Sequence, residues 1–299
     1  MFAAAYHPCY PLSLPDNHRF PMRKYDWLRQ QLSWEGLVEE DQWLTPTLIS
    51  SDHILKAHDS EYLSKLEGGS WSRQEERKSG FPWSSELIER EKVIMEGTRM
   101  CARVAAHGGV ALNIAGGTHH AFQNRAEGFC LLNDLAISAL DLLDVGLSRV
   151  LIVDLDVHQG NGTAQILKGY DSIYTFSMHG ASNYPLHKES SDCDIALPDG
   201  TDDSTYLSVL DRALDDIIHA FTPQVILYQC GVDVLESDKL GRLSLSLQGC
   251  LERDRMVFSR ARDLGIGVAC AMGGGYSEDV QTIVSAHKAT FRLARDAWT

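Results

Sequence analysis

From Ser85 onward the chain alternates helical and extended patterns. A helix is predicted over Glu86 to Ala106, where apolar or small residues recur at Leu87, Ile94, Thr98, Cys101 and Ala105, and Gly108 and Gly109 stop it. Short apolar runs follow at residues 109–116, 149–156, 172–178, 224–230 and 265–272 and read as buried strands. Between two of them Leu207, Leu210, Leu214, Ile217, Ile218 and Phe221 fall at helical spacing, giving an amphipathic helix that covers one sheet face. A last helix runs roughly from Glu278 to Trp298. Residues 1–85 read differently: Pro8, Pro11, Pro15, Pro21, Pro46 and Pro82 interrupt short helical patches such as Lys24 to Leu32, so loops are expected to dominate, above all at residues 68–84. The pattern predicts an α/β fold, one domain over 1–299, with a parallel sheet and helices on both faces.

The polar clusters sit where these strands end, which in parallel α/β sheets is the ligand crevice. GGTHHAF follows GVALNI, DLDVHQGNG follows RVLIV, CGVD follows QVILYQ, and GGGY follows GVACAM. In an extended segment Asp154, Asp156 and His158 project the same way, and two carboxylates with an imidazole invite a cation. Hydrogen-bonded turn residues are the alternative, favoured by Gly160 and Gly162. Asp233 is either a third metal ligand, leaving coordination open for water or substrate, or a helix N-cap. His119 and His120 follow two glycines and read as an acid/base pair or as a polar turn. Tyr276 is either a donor to an oxyanion or an aromatic lid.

Taken in order, GGTHHAF, EGFCLLND, VDLDVHQGNG, YQCGVD and GGGY resemble the motif series of the zinc-dependent histone deacetylase superfamily, strongly over residues 85 to 280 and weakly before. Gln159 and Asn161 make the chain most similar to bacterial relatives of the class IV deacetylases. The resemblance implies the arginase/deacetylase fold, with Asp156, His158 and Asp233 as zinc ligands. It implies His120 as general base and then acid, His119 as an electrostatic partner, and Tyr276 as transition-state donor. Asp154 would orient His119 and Asn161 would orient His120; as a neutral amide, Asn161 supports an imidazolium less than a carboxylate does. Gly128 would offer its carbonyl to the substrate amide and Phe129 would flank the acyl-bearing chain, while residues 179–192 depart from the class I pattern of the facing wall. A potassium ion is implied at Asp154, Asp156, His158, Ser177 and Met178. HRFPMRKY resembles the amino-terminal motif of the bacterial group and puts Arg19 near an internal cavity.

The implied reaction is hydrolysis of an acyl amide, with N-acyl-lysine of a protein or peptide as the first substrate class and acetylpolyamines or other small acylated amines as the alternative. Iron(II) is an alternative to zinc, because two carboxylates and one imidazole accept both. An arginase-like ureohydrolase needs D-x-H-x-D and D-x-D clusters for two manganese ions, whereas Asp233 is followed by Val234 and Leu235. A non-catalytic acyl-lysine-binding module is the rival from another class; both histidines and Tyr276 argue against it.

Composition adds exclusions more than identity. A formal charge of −14, from 27 Lys and Arg against 41 Asp and Glu, argues against nucleic-acid binding. Seven scattered cysteines without a C-x-x-C pair read as reduced thiols. The first residues lack a basic segment ahead of an apolar run, and no stretch reaches the length of a membrane span, so a cytoplasmic protein away from the membrane is expected.

Overall fold

The fold is described from a computed structural model covering residues 1–15 and 18–298. Eight strands lie in one wholly parallel sheet: β1 (Phe2–Ala5), β2 (Trp43–Leu44), β3 (Val110–Asn113), β4 (Val150–Asp154), β5 (Ile173–Gly180), β6 (Cys193–Leu197), β7 (Val225–Gln229) and β8 (Gly267–Ala271). Their order is β2-β1-β3-β8-β7-β4-β5-β6. The five predicted strands are all present. The central ones are buried at every position because helices cover both faces, which is why they read as unbroken apolar runs.

Ten α-helices surround the sheet: α1 (Arg23–Trp34), α2 (Ser51–Ile54), α3 (Ser60–Gly68), α4 (Arg73–Ser79), α5 (Ser85–Ala106), α6 (Asp134–Asp144), α7 (Asn161–Leu167), α8 (Asp203–Phe221), α9 (Leu247–Leu264) and α10 (Val280–Trp298). The long α5 crosses β1, β3 and β8 and packs on α6, while α8, α9, α10 and α1 follow one another as a second row of neighbours. Caps fix several starts: Ser84 accepts from the Leu87 amide, Asn133 from Ala136, Asp202 from Thr205 and Ser246 from Gly249. No helix among the described residues is long and apolar enough to cross a membrane.

Residues 1–85 are more regular than the proline pattern predicts. Phe2–Ala5 forms an interior strand, paired on one side with β2 and on the other with β3. Residues 68–84 are not a long loop, since α4 occupies Arg73–Ser79. It is closed at its start by a reciprocal capping box between Ser72 and Glu75, with the Ser72 amide donating to Glu75 Oε2 at 2.9 Å. Further on, the Trp83 amide donates to Glu76 Oε1 at 3.0 Å, tying the exit of the segment back to the helix.

One buried histidine couples this early region to pH. His58 Nδ1–H donates to the Phe122 carbonyl at 3.0 Å and Nε2 accepts from the Asn133 amide at 2.9 Å, a pattern only the neutral ring can make. Burial lowers its pKa to about 4, against about 6.5 for an unfolded histidine. Below pH 6.5 the unfolded chain binds a proton that the native ring refuses. Stability present above that pH is therefore lost as pH falls toward 4, by up to about 3 kcal/mol from this residue. Denaturant unfolding of His58→Gln should show lower stability at pH 7 and a flatter acid dependence; an unchanged slope would remove His58 from the account.

Candidate active site

Four strand ends converge. The turn after β3 carries His119 and His120, the end of β4 carries Asp154, Asp156 and His158, the end of β7 carries Asp233, and the turn after β8 carries Gly273–Gly275 and Tyr276. Asp156, His158 and Asp233 offer ligand atoms that all lie within 4.8 Å of one another. Backbone amides hold both carboxylates: Asp156 Oδ2 accepts from the Gly274 amide at 2.9 Å and its Oδ1 from the His158 amide at 3.0 Å, and Asp233 Oδ1 accepts from Val157 at 3.0 Å. His158 Nδ1 faces Asp156 Oδ1 at 3.0 Å and Asp233 Oδ2 at 3.1 Å. Ligands about 2.1 Å from a tetrahedral ion are separated by roughly 3.4 Å, so the set matches such an ion with little movement.

Without a cation the two carboxylates hold His158 protonated, raising its pKa to about 10 against the opposing effect of burial. Burial and the neighbouring Asp156 charge push Asp233 up to about 7. Two anions in one dry pocket call for positive charge, and a cation arriving there displaces the imidazole proton.

The histidine pair is divided by its supports. His119 Nδ1 faces Asp154 Oδ2 at 2.7 Å, while His120 Nδ1 donates to Asn161 Oδ1 at 2.7 Å, leaving its Nε2 as the open acceptor. Burial disfavours charge on both rings. For His119 the carboxylates of Asp154 and Asp156 outweigh it and raise the pKa to about 9. For His120 burial and the charges of His119 and His158 act together, lowering the pKa well below the ordinary range despite Asn161. The two ring centroids are 4.1 Å apart. Tyr276 lines the same cavity as Asp156, His119 and His120, and burial and nearby carboxylates keep its hydroxyl protonated.

Glycines are needed here for space. A Cβ on Gly274 would lie 1.9 Å from Asp233 Oδ2 and 2.8 Å from Asp156 Oδ2. Gly274→Ala should displace Asp233 and weaken metal retention about 10- to 100-fold. Chelator competition measures it, with circular dichroism reporting the retained fold; unchanged retention would count against the spacing argument.

Gly128 and Phe129, both at positive φ (53° and 65°), stand on the wall of the cavity. The Gly128 amide donates to the Lys78 carbonyl at 3.0 Å and Phe129 to Ser79 at 2.7 Å, so the α4 segment holds this wall. Phe129 packs against Phe20 and Phe81, each at 5.5 Å, and Tyr276 at 5.9 Å. Tyr184 sets its ring edge-on to His120 at 4.9 Å, and with Ser182 and Asn183 it lines the outer part of the cavity. For the potassium expectation, Asp154, the last residue of β4, is register partner of Ser177 within β5; Met178 follows Ser177 in that strand, and Asp156 and His158 follow β4 in the chain. Ser177 Oγ engages His179 Nδ1 at 2.9 Å. Arg19 does not line the internal cavity: it is exposed at the outer mouth. The interior is reached instead by Lys24, whose Nζ donates to the Gly273 carbonyl at 3.1 Å and stands 5.6 Å from the Tyr276 ring.

Three supporting residues carried no role in the sequence reading. Asp134 accepts from the Gly117 and Thr118 amides, both at 2.8 Å, and from Thr98 at 2.7 Å, pinning the turn ahead of His119; EGFCLLND contains it. Asp238 accepts from the Tyr276 amide at 2.6 Å and from Leu240 and Gly241. Arg253 donates to the Gly231 carbonyl at 2.6 Å and to Leu155 at 3.3 Å, bracing two ligand-bearing strand ends from behind. Nothing local in the sequence marks these last two.

A family model for the histone deacetylase domain matches residues 18–291. The chain belongs to the histone deacetylase family. Histone deacetylase 2 of Arabidopsis thaliana is 30% identical over 278 residues, covering 90% of this chain and 72% of that protein. An uncharacterized protein of Picosynechococcus sp. is 39% identical over 298 residues, 99% of each. Among solved structures, a histone deacetylase homolog from Aquifex aeolicus superposes with a TM-score of 0.86 at 24% identity, covering 99% of this chain and 84% of that one, which bears out the fold. Membership in the histone deacetylase family makes the chain a deacetylase-type hydrolase and supports metal-dependent deacetylation in general.

Proposed function

We propose that the protein hydrolyses N-acyl-lysine amides in peptides or proteins, using one divalent ion held by Asp156, His158 and Asp233. The observation that carries this reading is the split histidine pair, one ring on a carboxylate and one on a neutral amide, beside the three-ligand set. When bound, zinc or iron(II) would supply Lewis acidity for the acyl carbonyl and for the attacking water. His120, with Nδ1–H committed to Asn161, takes the proton of that water on Nε2 and delivers it to the departing amine. Tyr276 donates its hydroxyl to the carbonyl oxygen as negative charge develops there. His119, held by Asp154, adds positive potential beside the reacting centre. One water and one amide give one carboxylic acid and one amine. Gly128 and Phe129 guide the acyl-bearing side chain, and potassium at the Asp154 to Met178 positions would stiffen the strand ends.

Protein loaded with zinc or iron(II) and incubated with acetyl- and longer acyl-lysine peptides should release the carboxylic acid and leave a deacylated lysine side chain in the peptide, and chelation should abolish release. Ligand binding without release across that panel, with the metal retained, would make the protein a binding module instead.

A further inference from the structure

The chain is strongly acidic as a whole, yet the approach to its active site is not. His120, His158 and Tyr276 form the floor of an open cavity of 360 Å³ whose outer lining includes Arg19, Lys78 and Arg242. A second groove runs on from the shared Gly128–Phe129 wall and adds Arg77. Neither is lined by any Asp or Glu among the described residues. Arg242 is partly answered by Asp199 at 3.2 Å, and Glu127, nearby, already accepts from Arg125 and from Tyr184, each at 2.7 Å. Arg19, Arg77 and Lys78 are exposed and have no carboxylate partner among the described residues.

Favourable ends of helix dipoles explain part of this placement, because Arg77 and Lys78 occupy the last turn of α4. Arg19 lies on a separate segment, so the dipole does not account for the convergence. The end of α4 is also tied to the cavity wall, since the Lys78 and Ser79 carbonyls accept from the Gly128 and Phe129 amides. Clustered charge at a cleft mouth raises the local concentration of the opposite charge and orients it on approach.

Resting on the deacylase reading above, we propose that the preferred substrate carries an anionic group on its amine portion, docked on Arg19, Arg77 and Lys78. An acyl-lysine flanked by Asp or Glu fits, as does a small acylated amino acid through its own carboxylate. The same field repels acylated polyamines and lysine-rich peptides.

Metal-loaded protein is assayed on acetyl-lysine peptides flanked by Glu, Gln or Lys, and on acetyl-lysine with its carboxylate free or amidated. At low salt kcat/KM should rise about tenfold from Gln to Glu flanks and fall for Lys flanks, and the spread should narrow at high salt. In the Arg19→Gln/Arg77→Gln/Lys78→Gln variant the Glu-to-Gln ratio should collapse to about one. A larger carboxylate effect in peptides assigns the anion to flanking side chains; a larger one in free acetyl-lysine assigns it to the substrate's own carboxylate. Equal rates for all three flanks together with equal rates for free and amidated acetyl-lysine, or a preference for the anion that survives in the variant, would overturn the proposal. Failure to cleave any substrate would instead overturn the deacylase reading on which it rests.

Discussion

Replacing His120 by alanine is expected to lower kcat on an acyl-lysine peptide by about 10²- to 10⁴-fold, the range for loss of a positioned general acid–base. The prediction follows from how its ring is held. With Nδ1–H donated to Asn161, only Nε2 is open, and burial beside His119 and His158 keeps it unprotonated and ready to accept. His119 is a poor substitute, because its Nδ1 is committed to the Asp154 carboxylate, which favours a protonated ring. Metal content and unfolding midpoint, measured on the same sample, separate a chemical from a structural defect. A kcat within tenfold of the parent, with metal retained, would move proton transfer away from His120.

Arg253→Met should cost about 3–5 kcal/mol of stability, the scale for breaking a buried ion pair from one side. Arg253 is fully buried, pairs with Asp254 at 2.7 Å, and donates to carbonyls at the ends of β4 and β7. Its removal leaves those carbonyls short of a donor and the Asp254 carboxylate with only the hydroxyls of Tyr228 and Thr290. The double variant Arg253→Met/Asp254→Asn should recover part of the loss, because no unpaired charge is then left inside. Chemical denaturation of the three proteins tests this. A single variant less than about 1 kcal/mol below the parent would show that the pair is dispensable.

Both residues mark where sequence reading stopped. The strand runs were legible because the central strands are buried on both faces, and the motifs were legible because each starts at a strand end. Helix α9 was not, since Arg253 and Asp254 point inward and break its apolar stripe. Helix α6 escaped for the opposite reason: it is buried all round from Asp134 to Leu142, so it has no polar face to set a period. Phe2–Ala5 is too short and too rich in alanine to announce an interior strand. In the site, the strand-end motifs stand out in the sequence, while Lys24 and Tyr184, which reach the cavity from distant segments, and Asp134, Asp238 and Arg253, which act through backbone amides and carbonyls, are largely invisible. Their partners are set by the tertiary fold, and sequence spacing does not encode them.

The strand order carries a consequence for how the protein is made. β3, at Val110–Asn113, finds its inner neighbour only in β8, at Gly267–Ala271, and both strands deliver residues to the same rim. At ribosomal speeds of 5–20 residues per second, on the order of ten seconds separate their emergence. During that interval β1 and β3 present a parallel edge with nothing to pair with, the kind of surface on which nascent chains associate wrongly. The histidine turn and the tyrosine turn therefore meet only once Gly267–Ala271 has been made and has paired with Val110–Asn113.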